Sequence, residues 1–282
     1  MRMRYWIVLF FLGPATACAW GNDCKFRADR AAGLDAKGVE KVVIHAGAGD
    51  LKVVGRVNAV RIEARGVACA GSQAALARTL ITARREGNIV YVETTFPEDT
   101  GSFWEKGDSA YIDIGIALPA ALPVEAVDSS GDAVFEDLKA LDLQDSSGDL
   151  RISRISDAVS VIDSSGDLTI EGAGSVKAQD SSGDIEINEV RGNVDIPVDS
   201  SGDIHVAHVG GSVEIHEDSS GGIRVEEVKG NVKVDADSSG DIYAGRVGGD
   251  FTVVSDSSGS IEHEAIGGHI SVPSDESARV ER

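Results

Sequence analysis

The residues best placed to do chemistry in this 282-residue chain are eight aspartates set in one recurring tetrapeptide. Asp-Ser-Ser-Gly begins at Asp128, Asp145, Asp163, Asp180, Asp199, Asp218, Asp237 and Asp256, with spacings of 17, 18, 17, 19, 19, 19 and 19. A carboxylate beside two hydroxyls supports three kinds of chemistry. The first is cation binding, because Ca²⁺ seeks several oxygen ligands and acidic repeats of other solenoids hold it at their turns. The eight aspartates are therefore calcium candidates. A second carboxylate follows at the fourth position after the first in six tetrads, as Asp132, Asp149, Asp167, Asp184, Asp203 and Asp241, but Gly222 and Ser260 replace it in the other two. A ligand that calcium required would not drop out mid-array, so the second chemistry takes precedence. In it the Asp accepts backbone N–H groups two and three residues on, the serines help, and Gly supplies a positive φ. The third is nucleophilic catalysis by serine. It needs a histidine at a matching position in each unit, and none of the eight Ser-Ser pairs has one.

Six histidines are present, and His205, His208, His216, His263 and His269 lie at repeat offsets 6, 9, 17, 7 and 13, counting the first Asp as zero. Side chains at such scattered offsets do not converge as a zinc site requires. The chain has no phosphate-cradling Gly-rich loop, no CxxC and no HExxH. No catalytic residue and no cofactor is expected. An acidic-polysaccharide-cleaving β-helix would need a basic face, yet offset 6 runs Arg151, Thr169, Glu186, His205, Arg224, Tyr243, Glu262 and is mixed.

The elements that position the tetrads follow from the residues between them. From Asp199 the apolar positions are Ile204, Val206, Val209, Val213 and Ile215; from Asp218 they are Ile223, Val225, Val228, Val232 and Val234. Alternation of β-branched residues on each side of a glycine break marks two short strands and two turns. A unit this small buries its apolar stripe only against copies of itself. The expected fold is all-β: a single-stranded parallel β-helix (β-solenoid, right-handed) of about eight coils of 17–19 residues over 126–275. Stacked rungs would set equal positions about 4.8 Å apart. A propeller would need two repeats per blade of about 40 residues, and odd and even repeats do not differ.

Before the array the pattern changes. Residues 1–125 hold 14 acidic and 15 basic side chains, while residues 126–282 hold 33 and 11. The whole carries a formal charge of −21, which disfavours a nucleic-acid partner because phosphates want Lys and Arg. Hydrophobic residues at 42% exclude a wholly disordered chain. Strands are expected at Val39–His45, Leu51–Val57, Ala59–Ala64 and Tyr111–Leu118, with a hairpin about Glu86-Gly87-Asn88 and a short helix capped by Ser72. Together residues 24–125 read as a β-rich cap over the first coil, and 276–282 as a polar tail. A bare sheet end would invite edge-to-edge aggregation.

Arg2 and Arg4, the apolar run Tyr5–Leu12 and Ala15-Thr16-Ala17-Cys18-Ala19 form a secretory leader over 1–19, too short to span a bilayer. Cleavage after Ala19 is the first expectation and a lipid anchor at Cys18 the alternative. No other stretch is long enough for a transmembrane helix. With Cys18 removed or lipidated, Cys24 and Cys69 remain as an even pair, expected to form a disulfide in an oxidising compartment, with two buried thiols as the alternative.

The leader, the Cys24-Lys25 start, the Gly47-Ala48-Gly49-Asp50 turn and the Asp-Ser-Ser-Gly-Asp array together resemble a bacterial family, the "putative adhesins" with β-strand repeats, a domain of unknown function in cell-envelope proteins. The resemblance spans roughly residues 24–275. It implies a β-solenoid and a periplasmic or surface location, and it carries no catalytic residues. The expected function is a non-enzymatic exported adhesive or structural module that meets a protein or matrix partner through its acidic repeat face. A calcium-binding module and, last, a polysaccharide-cleaving enzyme are the alternatives.

Overall fold

The structure is a computed structural model that describes residues 24–97 and 109–273. The leader 1–19 with Cys18, the stretch 98–108 and the polar tail lie outside the described residues.

Chain order begins β1 (Phe26–Asp35), β2 (Lys41–His45), β3 (Leu51–Arg56), β4 (Arg61–Ala70), α1 (Gln73–Arg78), β5 (Leu80–Glu86), β6 (Ile89–Thr95), β7 (Ala110–Pro119), β8 (Val124–Val127) and β9 (Ala133–Glu136). Fifteen more strands follow, ending in β23 (Ile261–Ile266) and β24 (Ile270–Ser271). They make two sheets of twelve strands. From β8 onward the chain alternates between them, giving one strand to each sheet per coil, always paired in parallel with the coil before and after. The solenoid is thus a parallel β-helix of about eight coils.

The alternation in the sequence becomes the core directly. Ile185, Ile204, Ile223, Ile242 and Ile261 stand in register on one sheet; Val194, Val213, Val232 and Phe251 do so on the other. All are buried. Burying one such side chain is worth about 1.5–3 kcal/mol, and each rung adds several. Two rings fit inside the coils: Phe135 and Phe251 are fully enclosed.

Strict alternation from offsets 5 and 7 would turn offset 9 inward, yet it is offset 10 that is buried, as Val190, Val209, Val228 and Val247. The parity changes at a backbone kink. Asp137, Arg154, Glu189, His208, Glu227, Arg246 and Ala265, one per coil at offset 9, all have φ between 52° and 58°. Gly172 fills the same place in the third repeat at φ 79°. This column of left-handed residues turns the wall and was not visible in residue types, because charged side chains and alanine share it.

Parallel stacking begins ahead of the tetrads. β2 pairs in parallel with β8, and β3 with β9, so residues 41–56 form a coil whose turn is Gly47-Ala48-Gly49-Asp50. Ala46 holds the place of the first Asp in this coil, and its N–H donates to the carbonyl of Val127. β6 and β7 stack in parallel on the other side of β2 and β3, although they come later in the chain. Three antiparallel strands then finish the stack: β5 on β6, β4 on β7, and β1 on β4. Ser72 Oγ accepts the N–H of Ala75 at 3.0 Å and starts α1, as the sequence suggests. β1 is hard to read from sequence because its inner face, Phe26, Ala28, Arg30, Ala32 and Leu34, is only partly buried and is interrupted by an arginine. Cys24 and Cys69 are disulfide-bonded, tying the chain before β1 to β4.

Candidate functional site

The tetrads lie rung on rung, and each residue type in them has a task set by the stacking. The Gly has φ from 111° to 149° in every tetrad. A Cβ on Gly202 would meet the carbonyl oxygen of Gly183, one coil back, at 1.8 Å. Glycine is required twice over, by backbone conformation and by closeness to its neighbour. Its N–H donates to the next coil, as from Gly202 to the carbonyl of Ser220 at 3.1 Å. The second serine ties the coils in the other direction: Ser182 Oγ donates to the carbonyl of Ser164, and Ser239 Oγ to that of Ser219, both at 3.2 Å. The first serine of each tetrad is exposed, so eight serines line one outer edge of the rod, with the hydroxyls of Ser129 and Ser164 turned to carbonyls of the preceding coil at 3.4 Å.

The aspartates face inward. Asp128, Asp145, Asp163, Asp180, Asp199, Asp218 and Asp237 are 0–3% exposed, and Asp256 in the last tetrad is half-buried. One oxygen caps the turn: Asp163 Oδ1 accepts from Ser164 N at 2.7 Å and Ser165 N at 3.3 Å, and Asp180 Oδ1 does the same with Ser181 and Ser182. The donors are one and two residues on, nearer than the expected two and three. The other oxygen has no hydrogen-bond partner in any of the eight, and in Asp145, Asp199 and Asp218 neither oxygen meets hydrogen-bond geometry, although the serine N–H groups of the turn still lie near enough to favour the charged form.

The second carboxylate points the other way. Asp132, Asp149, Asp167, Asp184 and Asp203 are exposed, and each hands its Oδ1 to a backbone N–H of the next coil: Asp149, Asp167, Asp184, Asp203 and Gly222 in turn, at 2.8–3.2 Å. Asp241 serves Ser260 likewise at 2.8 Å. This ladder explains why the residue can drop out at Gly222 and Ser260, since each rung is local. The two carboxylates of a tetrad thus stand on opposite sides of the wall.

The electrostatics follow from this placement. Burial pushes Asp128, Asp199 and Asp237 up to about 7 and Asp145, Asp180 and Asp218 up to about 6, with carboxylates of neighbouring coils pushing the same way and the serine N–H groups opposing. Asp163 is raised too, chiefly by burial. In water, neighbours about 4.8 Å apart repel by about 0.9 kcal/mol; at an effective dielectric of about 20 the figure is about 3.5 kcal/mol.

The histidines are spread along the rod, but one has close company. His216 Nε2 is 2.9 Å from Asp195 Oδ1, and Nδ1 is 3.0 Å from Asp235 Oδ2, with Glu214 within metal-ligating reach. The offsets did not foretell this group, because its members come from three successive coils. Lys233 already occupies both Glu214 and Asp235, at 3.3 Å and 2.7 Å.

Among the described residues the surface includes two grooves. One, of about 590 Å³, lies beside β3, β4 and β7, where Lys52, Arg56, Arg61 and Arg65 surround Val54 and Val60. The other, of about 1200 Å³, runs along the left-handed corner past Glu189, Arg191, His208, Glu227, Lys229 and Arg246. Ion pairs cross it, with His208 Nε2 2.9 Å and Arg246 3.1 Å from Glu227. Among the described residues no helix is long and apolar enough to cross a membrane.

With this geometry in place, the sequence over residues 35–269 matches the family model Toastrack DUF4097. The chain belongs to that family. Toastrack DUF4097 is a β-helix-like domain of unknown function, in agreement with the resemblance drawn from the tetrads. Among curated proteins there is no match. Solved structures similar to this Toastrack chain include a "putative lipid binding protein" from Parabacteroides distasonis, at 13% identity over 93% of this chain and 98% of that one, TM-score 0.45. A "putative adhesin" from Parabacteroides merdae aligns at 10% identity over 90% and 98%, TM-score 0.39. Another from Bacteroides fragilis aligns at 10% over 88% and 98%, TM-score 0.34.

Proposed function

We propose that this Toastrack chain is an exported, non-enzymatic binding module of the bacterial cell envelope, an adhesin or structural rod in the periplasm or at the cell surface. Its partner is a protein or matrix component that meets the acidic repeat surface. One observation carries the reading: the wall repeats outward polar groups along the array, with an exposed serine in all eight tetrads and an exposed aspartate beside six of them. Parallel pairing fixes their spacing at about 4.8 Å. A ruler of identical polar groups suits a partner that is itself extended or repetitive, where many weak contacts add.

The test uses the mature chain and a triple variant, Asp149→Asn, Asp167→Asn and Asp184→Asn. Asparagine keeps the oxygen that accepts the neighbouring N–H, so the rod folds while its surface charge falls. Attachment to cells or isolated envelopes of the source bacterium is expected to drop several-fold in the variant and at high salt. Equal attachment by both proteins, with intact envelopes in a deletion strain, would defeat the proposal.

A further inference from the structure

We propose that the eight-aspartate column inside the rod is a proton-binding site: a ladder in which neutral carboxylic acids donate their O–H groups to carboxylates of adjacent coils, so that acid tightens the solenoid and alkali loosens it. This inference does not depend on what the rod binds.

The geometry leaves few other ligands. Seven of the eight side chains are sealed from solvent, and every one carries at least one oxygen without a hydrogen-bond partner. A buried acceptor without a donor is costly, and parallel stacking repeats that cost at every rung. None of the ion pairs among the described residues includes a member of the column.

The charged groups that face it are carboxylates. Within the column they are the aspartates one coil up and one coil down; from the outward ladder they are Asp50, Asp149, Asp167 and Asp203. Toward the interior the strands on either side carry buried Ile and Val, as Val194 and Ile196 do before Asp199 and Ile204 and Val206 after it. Of the turn's own dipoles, the serine N–H groups reach only Oδ1, in Asp128, Asp163, Asp180, Asp237 and Asp256, while the Gly N–H and the second Ser hydroxyl serve carbonyls of adjacent coils.

A proton solves this problem in the least space. It turns one unpartnered acceptor into a donor aimed at the next unpartnered acceptor, and it removes the repulsion between the two rungs. A calcium ion would need several more oxygens than one Asp per coil offers, and the turn's second carboxylate stands outside the wall. The column also has ends. Ala46 takes the Asp position in the coil before Asp128, and the half-buried Asp256 lies at the far end, where protons can enter from solvent.

The sign follows from linkage. Raised folded-state values mean that between about pH 4 and 7 the folded chain holds protons that the unfolded chain has released, so stability falls as pH rises. The experiment is thermal melting of the mature protein from pH 4 to 8.5 in chelator, with infrared detection of buried neutral carboxylic acid at pH 6. The expected results are a distinct acid carbonyl band and a melting temperature that drops by roughly 5–10 °C from pH 5 to 8.

The variant Asp145→Asn, Asp180→Asn, Asp218→Asn puts amide donors at alternate rungs and should flatten the pH profile. Should it fail to fold, the band and the profile of the unaltered protein still decide. Stability that rises from pH 4 to 7, or no acid band, overturns the proposal. So does a calcium-induced rise in melting temperature at pH 8 that abolishes the pH dependence, which would make the column a metal site instead.

Discussion

Two glycines show how the same residue type can be fixed for different reasons. Gly202 has φ 125° and no room for a methyl group, with backbone of the preceding coil 1.8 Å from a Cβ built there. Gly172 has φ 79°, but its nearest neighbours stand at 3.6 Å and the equivalent residues of other coils are not glycine. Gly202→Ala should cost more than about 3 kcal/mol by adding a clash to backbone strain. Gly172→Ala should cost about 1 kcal/mol or less, since the penalty of the left-handed conformation is partly offset by a stiffer unfolded chain. Denaturant melts of both variants measure the difference, and equal losses would refute the stacking argument. The tetrad glycines were legible in the sequence. The inward turn of the aspartates was not, because an Asp in a turn signals a cap whichever side of the wall it faces. Nor was the left-handed column, where Glu189, His208 and Arg246 share a backbone shape without sharing a chemistry.

At the level of elements, the array could be read because each strand repeats a period-two stripe between glycines, and register follows once equal offsets pair. The helix start at Ser72 and the hairpin of β5 and β6 were equally plain, each having a local chemical signal. The order of the early strands was not, since the coil of β2 and β3 lies between two coils that follow it in sequence. Only long-range pairing decides such an insertion. The disulfide holds this region, closing a separation of 45 residues. Replacing both cysteines by serine should lower stability by roughly 3–4 kcal/mol in the chain-entropy model. Melting with and without reductant checks it, and an unchanged midpoint would mean that β1 and β4 are held by pairing alone.

For the whole molecule, stacking makes length a count of coils. Deleting residues 199–217 joins Val198 to Asp218 and removes one 19-residue rung while every remaining ladder keeps its register. The shortened chain should fold with an unchanged β signature and a rod about 4.8 Å shorter in small-angle scattering. Loss of the β signal would show that the coils are not interchangeable. The outward acidity belongs to this scale as well. With 33 acidic residues against 11 basic ones after residue 125, the rod repels its own kind along its sides. Acid titration of the inner column would lower that charge without altering the surface pattern.

The central claim is that the tetrad aspartates form one sealed column. Carbon-detected NMR of the aspartate side-chain carboxyls across a pH series tests it most directly. A separate group of aspartates titrating near pH 6–7, in line with values of about 6 for Asp180 and about 7 for Asp199, is the predicted result. Uniform titration of every aspartate near pH 4 would contradict it.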